Sequence, residues 1–190
     1  AVSLGLGFGL QEIFANFVSG LIILFERPVR VGDTVTVNGI HGTVARLRIR
    51  ATTIVDWDRK ELIIPNKEFV TGQIVNWTLS DPIMRLIVPV GIAYGSDTAL
   101  AERILLEVAA NDPVVLEEPA PTVVFSKFGE SSLDFSLRVF IPHIENLIPV
   151  QHRLHKAIDD AFREAGIVIA FPQRDVHLHP QAAESSDESP

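Results

Sequence analysis

The first 25 residues form an apolar run with one charged residue, Glu12. Within this run the stretch SLGLGFGLQ alternates small and large residues, which is the period of a strand, but glycine weakens strands. On a helical wheel the same stretch gives two large stripes and two small ones. The large stripes are Leu4 with Phe8 and Leu6 with Leu10; the small stripes are Ala1, Gly5 and Gly9, and Ser3 with Gly7. We therefore predict a helix whose small flanks let identical copies pack closely, as in membranes.

The second half of the run is amphipathic as a helix. Gln11, Glu12, Ala15, Asn16 and Ser19 fall on one side of the wheel, and the large apolar residues from Ile13 to Leu21 fall on the other. Gly20 offers a place for a bend, and Pro28 marks the helix exit. The alternatives are the buried core helix of a soluble protein and, more remotely, a phosphate-binding glycine loop, although no strand precedes these glycines.

Residues 30–78 show the period of short strands. DTVTVNG ends in Asn38-Gly39, a hairpin signal. ARLRIRA predicts one strand with Arg46, Arg48 and Arg50 on one face, and TTIVDWDRKELII predicts two strands about a polar turn. The arginine face is either an exposed, solubilising sheet face or a positive lining that affects ion entry or meets anionic headgroups.

After LSDP at 79–82 the pattern changes to strands and helices in the order βαββαβ, which is typical of a ferredoxin-like α+β domain. Its last strand is predicted at IVIAF, residues 167–171. We expect domains at 1–27 (membrane helix), 28–80 (β-domain), 81–179 (α+β domain) and 180–190 (disordered acidic tail).

Composition narrows the class of protein. The chain has 24 acidic and 16 basic residues, a net charge of −8 and no cysteine. The acidic balance argues against a general nucleic-acid binder. Arg27 and Arg30 directly follow the apolar run, so we expect the residues after about 27 to be cytoplasmic. The chain does not begin with Met, and we expect it to be a piece of a longer protein.

The sequence gives only weak signals for a catalytic or metal-binding site. His177 and His179 share a face of a predicted strand, and His152 and His155 lie three apart on a predicted helix, but neither pair is completed to a metal site. Asp56 and Asp58 fit a tight turn better than a pair of catalytic acids. We expect no enzyme activity, no metal and no cofactor.

The segment GLGFGLQEIFANFVSGLIILFERPVRVGDTV, with GTV, RATTI and IIPNKEFV after it, resembles the small-conductance mechanosensitive channel (MscS-like) family, and especially its larger, potassium-dependent subgroup. The resemblance runs from Ala1 to about His179. It implies a pore-lining membrane helix, an all-β Sm-like barrel and an α+β ferredoxin-like domain. The implied function is a tension-gated ion channel of the bacterial inner membrane that releases ions and small solutes on hypo-osmotic shock.

By position, the resemblance implies the following roles. Leu4 and Phe8 form apolar rings that close the pore, Gly5, Gly7 and Gly9 pack against neighbouring helices, and Gly20 with Asn16 marks a bend. It also implies a homo-oligomer, a heptamer in this family, in contact with membrane lipid. Glu12 departs from the family pattern, since many members have a glycine hinge there, which makes Gly20 the better bend.

Two other classes remain open from the residues. A soluble, ring-forming Sm-like RNA-binding module would use Arg46, Arg48 and Arg50, although the net charge speaks against it. A transporter would need an ionisable residue within the membrane, and Glu12 is the single candidate. We interpret Glu12 as interfacial instead.

Overall fold

The structure is a computed structural model that describes residues 2–177, with side chains from residue 9 onward. It begins with one uninterrupted helix, α1 (Val2–Glu26), as the wheel predicts. The helix ends at Arg27, whose φ of 52° is left-handed and whose backbone N–H donates to the Ile23 carbonyl at 2.9 Å. The predicted acidic tail and His179 lie outside the described residues.

A five-stranded antiparallel sheet follows α1 and forms the β-domain, with strand order β4-β3-β2-β1-β5. Its elements are β1 (Thr34–Val37), β2 (Ile40–Leu47), β3 (Ala51–Asp56), β4 (Glu61–Pro65), α2 (Asn66–Thr71) and β5 (Ile74–Asn76). Asn38 and Gly39 have φ of 51° and 79° and connect β1 to β2, which confirms the predicted hairpin. The core of this domain includes Ile23 of α1 beside Val35, Val44 and Ile54.

The predicted single strand over ARLRIRA is wrong. β2 ends at Leu47, the chain turns, and β3 begins at Ala51. The backbone N–H of Arg48 donates to the Ala51 carbonyl at 3.0 Å and closes the turn. Arg46 therefore lies on a strand, whereas Arg48 and Arg50 lie in the turn, and the three do not share one strand face. The polar turn between β3 and β4 is as predicted: the backbone N–H of Lys60 donates to the Asp56 side chain at 2.8 Å.

The second domain places two helices against a three-stranded antiparallel sheet of order β6-β8-β7. Its elements are β6 (Met84–Ile92), α3 (Thr98–Asn111), β7 (Thr122–Phe128), β8 (Leu133–Ile141), a short 3-10 helix (Ile144–Asn146) and α4 (Leu147–Glu164). Alternate residues of β8, including Phe135, Leu137 and Val139, are buried against both helices. An antiparallel sheet covered on one side by helices is the α+β arrangement that the sequence predicts.

The predicted last strand at 167–171 forms a single bridge, Ile92 to Ile169, instead of a fourth strand. Two backbone hydrogen bonds hold the segment beside β6: Ala93 N–H to the Val168 carbonyl and Ala170 N–H to the Gly91 carbonyl, both 2.9 Å. Residues 171–177 have no regular secondary structure, so His177 does not lie on a strand.

Candidate functional site

The part of α1 with described side chains has two unlike faces. One face packs on the β-domain through Ser19, Gly20 and Ile23, which are buried. The other face carries Ile13 and Phe14, which are 56% and 67% exposed. The small residues Ser19 and Gly20 therefore meet the β-domain together with Ile23, whereas large apolar residues such as Ile13 and Phe14 are left uncovered in one chain. An apolar face of this kind fits lipid or a neighbouring helix.

Gly20 lies at the closest approach between α1 and the β-domain. A Cβ added there would lie 2.2 Å from the carbonyl oxygen of Ile49 and 2.7 Å from Nδ2 of Asn66. No side chain fits in that space, so the glycine is needed for contact with the turn between β2 and β3. α1 remains helical through Gly20. The bend there stays a prediction.

Asn66 fixes the turn that Gly20 touches. It is 1% exposed, and its Nδ2 donates to the Arg48 carbonyl at 2.8 Å while its backbone N–H donates to the Arg50 carbonyl at 3.1 Å. The hydroxyl of Thr52 donates to Asn66 Oδ1 at 2.9 Å. A buried amide with these partners is satisfied, and losing one of them would leave a costly unpaired group.

Asn16 and Glu12 make polar contacts between α1 and α2. Asn16 Oδ1 accepts from the backbone N–H of Lys67 at 3.0 Å, and its Nδ2 donates to the Glu12 carbonyl at 2.9 Å. Lys67 Nζ donates to Glu12 Oε1 at 2.8 Å. This hydrogen bond, together with the charge of Glu12, raises the pKa of the Lys67 ammonium.

We call this contact the α1 joint. It consists of Glu12, Asn16 and Gly20 on α1, and of Ile49, Asn66 and Lys67 on the β-domain. The three α1 residues are spaced four apart and so lie on one stripe of the helix. The sequence analysis singles out Asn16 and Gly20 as a bend, which stays a prediction, and it does not predict their contacts with Asn66 and Lys67. The one available signal was the pair Asn66-Lys67 directly after the strand-ending Pro65.

The exit from α1 is also fixed to the β-domain. Val29 is 1% exposed, and the backbone N–H of Arg30 donates to Asp33 Oδ2 at 2.9 Å. Asn76 Nδ2 donates to that carboxylate oxygen at 2.7 Å and to the Pro28 carbonyl at 3.1 Å. The chain therefore passes from helix to sheet through a short connection tied to β5, with the side chains of Arg27 and Arg30 exposed.

The predicted basic residues are placed differently from one another. Arg46 pairs with Glu61 at 2.5 Å across the sheet surface. Arg48 and Arg50 are exposed in the turn below α1. Surface ion pairs such as Arg46–Glu61 contribute little to stability.

Several predicted residues lie at the start of α1. Leu4, Gly5, Gly7 and Phe8 are within the described helix, but their side-chain surroundings lie outside the described part, so their gate and packing roles stay predictions. A Cβ added at Gly9 would meet no described atom within 4 Å. Over residues 2–177, no three His, Asp or Glu side chains are grouped to hold a metal ion, and His152 and His155 are exposed on α4.

One helix segment in the described residues, Gly9–Glu26, is long and apolar enough to cross a membrane, and 17% of it is buried. A core helix of a soluble protein would be mostly buried instead. The described residues therefore form a helix of membrane-spanning length and composition, joined to a β-domain and an α+β domain.

The comparisons with known proteins agree with this architecture. The family model for the mechanosensitive ion channel β-domain matches residues 12–79, and that for the C-terminal domain of the mechanosensitive ion channel MscS matches residues 86–169. The chain belongs to the MscS family of mechanosensitive ion channels. It is similar to the mechanosensitive channel MscK of Escherichia coli, with 53% identity over 94% of this chain, and to the miniconductance mechanosensitive channel MscM of the same organism, with 43% identity over 94%.

The chain spans 16% of the length of each of these two relatives. It covers 62% of a shorter relative, the small-conductance mechanosensitive channel of Edwardsiella ictaluri, at 32% identity over 94% of this chain. Higher identity to the two long relatives agrees with the resemblance to the larger subgroup.

Solved structures share the fold. The closed-state crystal structure of Helicobacter pylori MscS aligns with a TM-score of 0.88 at 23% identity, covering 95% of this chain and 71% of that one. Arabidopsis thaliana MSL1 aligns with a TM-score of 0.74 at 19% identity, covering 90% of this chain and 63% of that one. The predicted fold class is confirmed. The RNA-binding alternative gains no support, since the relatives are channels and the three arginines are not on one strand face.

Proposed function

We propose that this chain supplies the pore-lining helix and the cytoplasmic domains of a homo-oligomeric channel that membrane tension opens, and that it acts as a channel and not as an enzyme. The observation that carries the proposal is α1 itself: a membrane-length apolar helix with one face on the β-domain and the opposite face exposed. A single copy leaves that face in water, whereas a ring of copies in a bilayer covers it.

The proposed gate is a pair of apolar rings at Leu4 and Phe8. These residues are four apart on α1, and so share a stripe of the helix. In a ring of copies, two bulky apolar side chains per helix would narrow the lumen until water leaves it, and a dewetted constriction blocks ions. Gly5, Gly7 and Gly9 lie on the flanks, where neighbouring helices would approach and slide past one another.

Tension favours the state with the larger area in the membrane plane, and the population of open channels follows a two-state equilibrium. Opening would release ions and small solutes under hypo-osmotic shock. The bacterial inner membrane is the proposed location, with the sheet domains in the cytoplasm because Arg27 and Arg30 directly follow the helix. The same arginines would lie near anionic lipid headgroups. Seven copies per ring is the number that the family resemblance implies.

Through the α1 joint, the cytoplasmic part of the proposed channel would also influence opening. Because Asn16, Gly20 and Glu12 contact the β-domain at hydrogen-bond or van der Waals distance, a movement of α1 during opening would act on the sheet below it. The β-domain would then bias the closed or open state according to whether these contacts are kept.

The test of the gate is Phe8→Ser, recorded in membrane patches under suction. A hydroxyl in place of the apolar ring should wet the constriction and lower the opening tension. Leu10→Ser is the matched control, since Leu10 lies on the other large stripe of the wheel and is 50% exposed. An unchanged threshold in Phe8→Ser, or an equal fall in Leu10→Ser, would refute this gate.

A further inference from the structure

A cavity of about 310 Å³ lies between the β-domain and the start of α4. Trp57 and Trp77 contribute walls from the β-domain, Met84 from the start of β6, and Glu145 and Ile148 from the second domain. None of the residues that line it belongs to α1. Its volume lies at the lower end of the range for small-molecule sites, about 300–1,000 Å³.

The lining combines two tryptophans with one carboxylate. Trp57 and Trp77 are the two tryptophans of the chain, and Glu145 is the one acidic side chain that lines the cavity. Trp77 is held in place, because its Nε1 donates to Thr36 Oγ1 at 2.9 Å. Thr36 Oγ1 also lies 2.7 Å from His41 Nδ1, so the polar groups on this wall are engaged with one another.

Aromatic rings attract cations through the negative charge of their faces, and tryptophan does so most strongly. A carboxylate in the lining adds a negative charge that attracts a cation, while the mostly apolar walls disfavour strongly hydrated ions such as Na⁺ or K⁺. The combination fits a cation that carries its charge on an apolar body. It does not fit an anion, because Glu145 would repel it.

We propose that this cavity binds a small soluble organic cation of the quaternary ammonium class. The cation would contact Trp57 and Trp77 and lie near the Glu145 carboxylate, and so would bridge the β-domain and the α+β domain. This proposal does not depend on the gate at Leu4 and Phe8, because its first readout is binding and not current.

The test uses choline as the probe and 3,3-dimethyl-1-butanol as its neutral isostere, with the purified 190-residue protein in detergent. Both tryptophans line the cavity, so tryptophan fluorescence reports on it directly. We expect choline to change the emission saturably and the neutral isostere to bind roughly 2- to 30-fold more weakly. Equilibrium dialysis with labelled choline measures the same binding without relying on a spectral change.

Two variants sharpen the test. Glu145→Gln should weaken choline binding roughly 3- to 10-fold and leave the affinity for the neutral isostere unchanged. Glu107→Gln is the matched control, because Glu107 is exposed on α3 and does not line the cavity. Trp57→Leu should weaken choline binding while Trp77 remains as the reporter.

Three results would overturn the proposal. The first is equal affinity for choline and its neutral isostere, which would indicate simple apolar partitioning. The second is no choline binding in either measurement. The third is binding that occurs in dissociated copies and is lost in the oligomer, which would mean that a neighbouring copy fills the cavity.

Discussion

The two sheet domains differ in the contacts that stabilise each of them internally. In the α+β domain, the described residues include a core of eighteen buried apolar side chains. The corresponding core of the β-domain has eight, and it lies beside buried Asp33, Thr34, Thr52, Thr53 and Asn66. The α+β domain therefore relies mainly on apolar burial, which has no preferred direction. The β-domain adds hydrogen bonds, which require fixed geometry.

The difference matters because α1 packs on the β-domain. The contact consists of the hydrogen bond from the Lys67 backbone to the Asn16 amide, the Glu12–Lys67 ion pair, and the close approach of Gly20 to the Ile49 carbonyl. A small displacement of α1 would break each of them. Hydrogen bonds and ion pairs weaken steeply when the distance or angle between the two groups changes. We therefore expect a displacement of α1 to break contacts with the β-domain before it affects the apolar core of the α+β domain.

The largest expected effect is in the apolar core. Leu105 on α3 is 0% exposed, and Leu105→Ala should lower the free energy of unfolding by about 2–5 kcal/mol through lost burial and a cavity. The neighbouring Leu106 is 36% exposed, so Leu106→Ala should cost much less. Urea unfolding of both variants measures the difference. Equal losses would show that this helix is not anchored through its buried stripe.

The next effect is at the α1 joint. Gly20→Ala places a Cβ where the Ile49 carbonyl and the Asn66 amide already lie, and the forced displacement should cost about 1–3 kcal/mol. We expect faster hydrogen exchange at the backbone N–H of Lys67, because its acceptor on Asn16 moves away. Gly9→Ala is the control, since no described atom lies within 4 Å of its new methyl group. Unchanged exchange in Gly20→Ala would contradict the close contact.

A further loss of stability is expected when the ion pair between Arg153 on α4 and Asp112, which directly follows α3, is removed. Arg153 Nε donates to Asp112 Oδ2 at 2.8 Å and its second nitrogen donates to Oδ1 at 2.9 Å. The Arg153 guanidinium lowers the pKa of the Asp112 carboxyl. Asp112→Ala removes this pair and the bond from the Val114 backbone N–H.

The sign of the pH dependence follows from the lowered pKa. The pair stabilises the fold fully above the ordinary aspartate pKa, and the stabilisation is lost as the pH falls through the lowered value. When urea unfolding is measured from pH 7 downward, the free energy of unfolding should therefore fall more steeply with pH in the parent protein than in Asp112→Ala. Asp159→Ala is the control, because its pair with Arg163 is on the surface and should cost little. Parallel acid curves for the parent and Asp112→Ala would rule out this role.

The smallest effect is expected for the ion pair of the α1 joint. The contact with Glu12 raises the pKa of Lys67, so any stability it adds is present below the ordinary lysine pKa and lost as the pH rises through the raised value. Glu12→Gln should move the Lys67 pKa back toward its ordinary value, measured by NMR titration of the Cε methylene. Glu68→Gln should move it less, because Glu68 acts through charge alone and more weakly. An equal shift in both variants would contradict the specific contact.

The sequence predicts those parts of the fold that have a local signal. The spacing of residues predicts α1, and the Asn38-Gly39 pair predicts the hairpin between β1 and β2, because helical spacing and left-handed turn residues are local properties. The break after Leu47 was missed because Arg48 to Arg50 continue the alternation of a strand and include no glycine or proline. α2 was missed because six residues are too few to show a helical period.

The site was predicted in part for the same reason. The family resemblance and the helix pattern single out Asn16 and Gly20 as a bend, but not as contacts with the β-domain. Their partners lie far along the chain: Lys67 is 51 residues from Asn16, and no local pattern predicts contacts at that separation. The fourth strand of the second sheet was overpredicted, since IVIAF has strand composition but forms a single bridge. Whether residues 167–171 form a strand depends less on their strand propensity than on the pairing available beside the sheet.

Asn16 has one consequence for mechanics. Its amide is bonded at both ends, to the Glu12 carbonyl within α1 and to the Lys67 backbone on the β-domain. Gly20 lies against Ile49 one turn further along, so α1 contacts the β-domain at two points on the same side of the helix, one on α2 and one on the turn between β2 and β3. A rotation of α1 about its long axis would therefore either carry α2 and the turn between β2 and β3 with it or break both contacts.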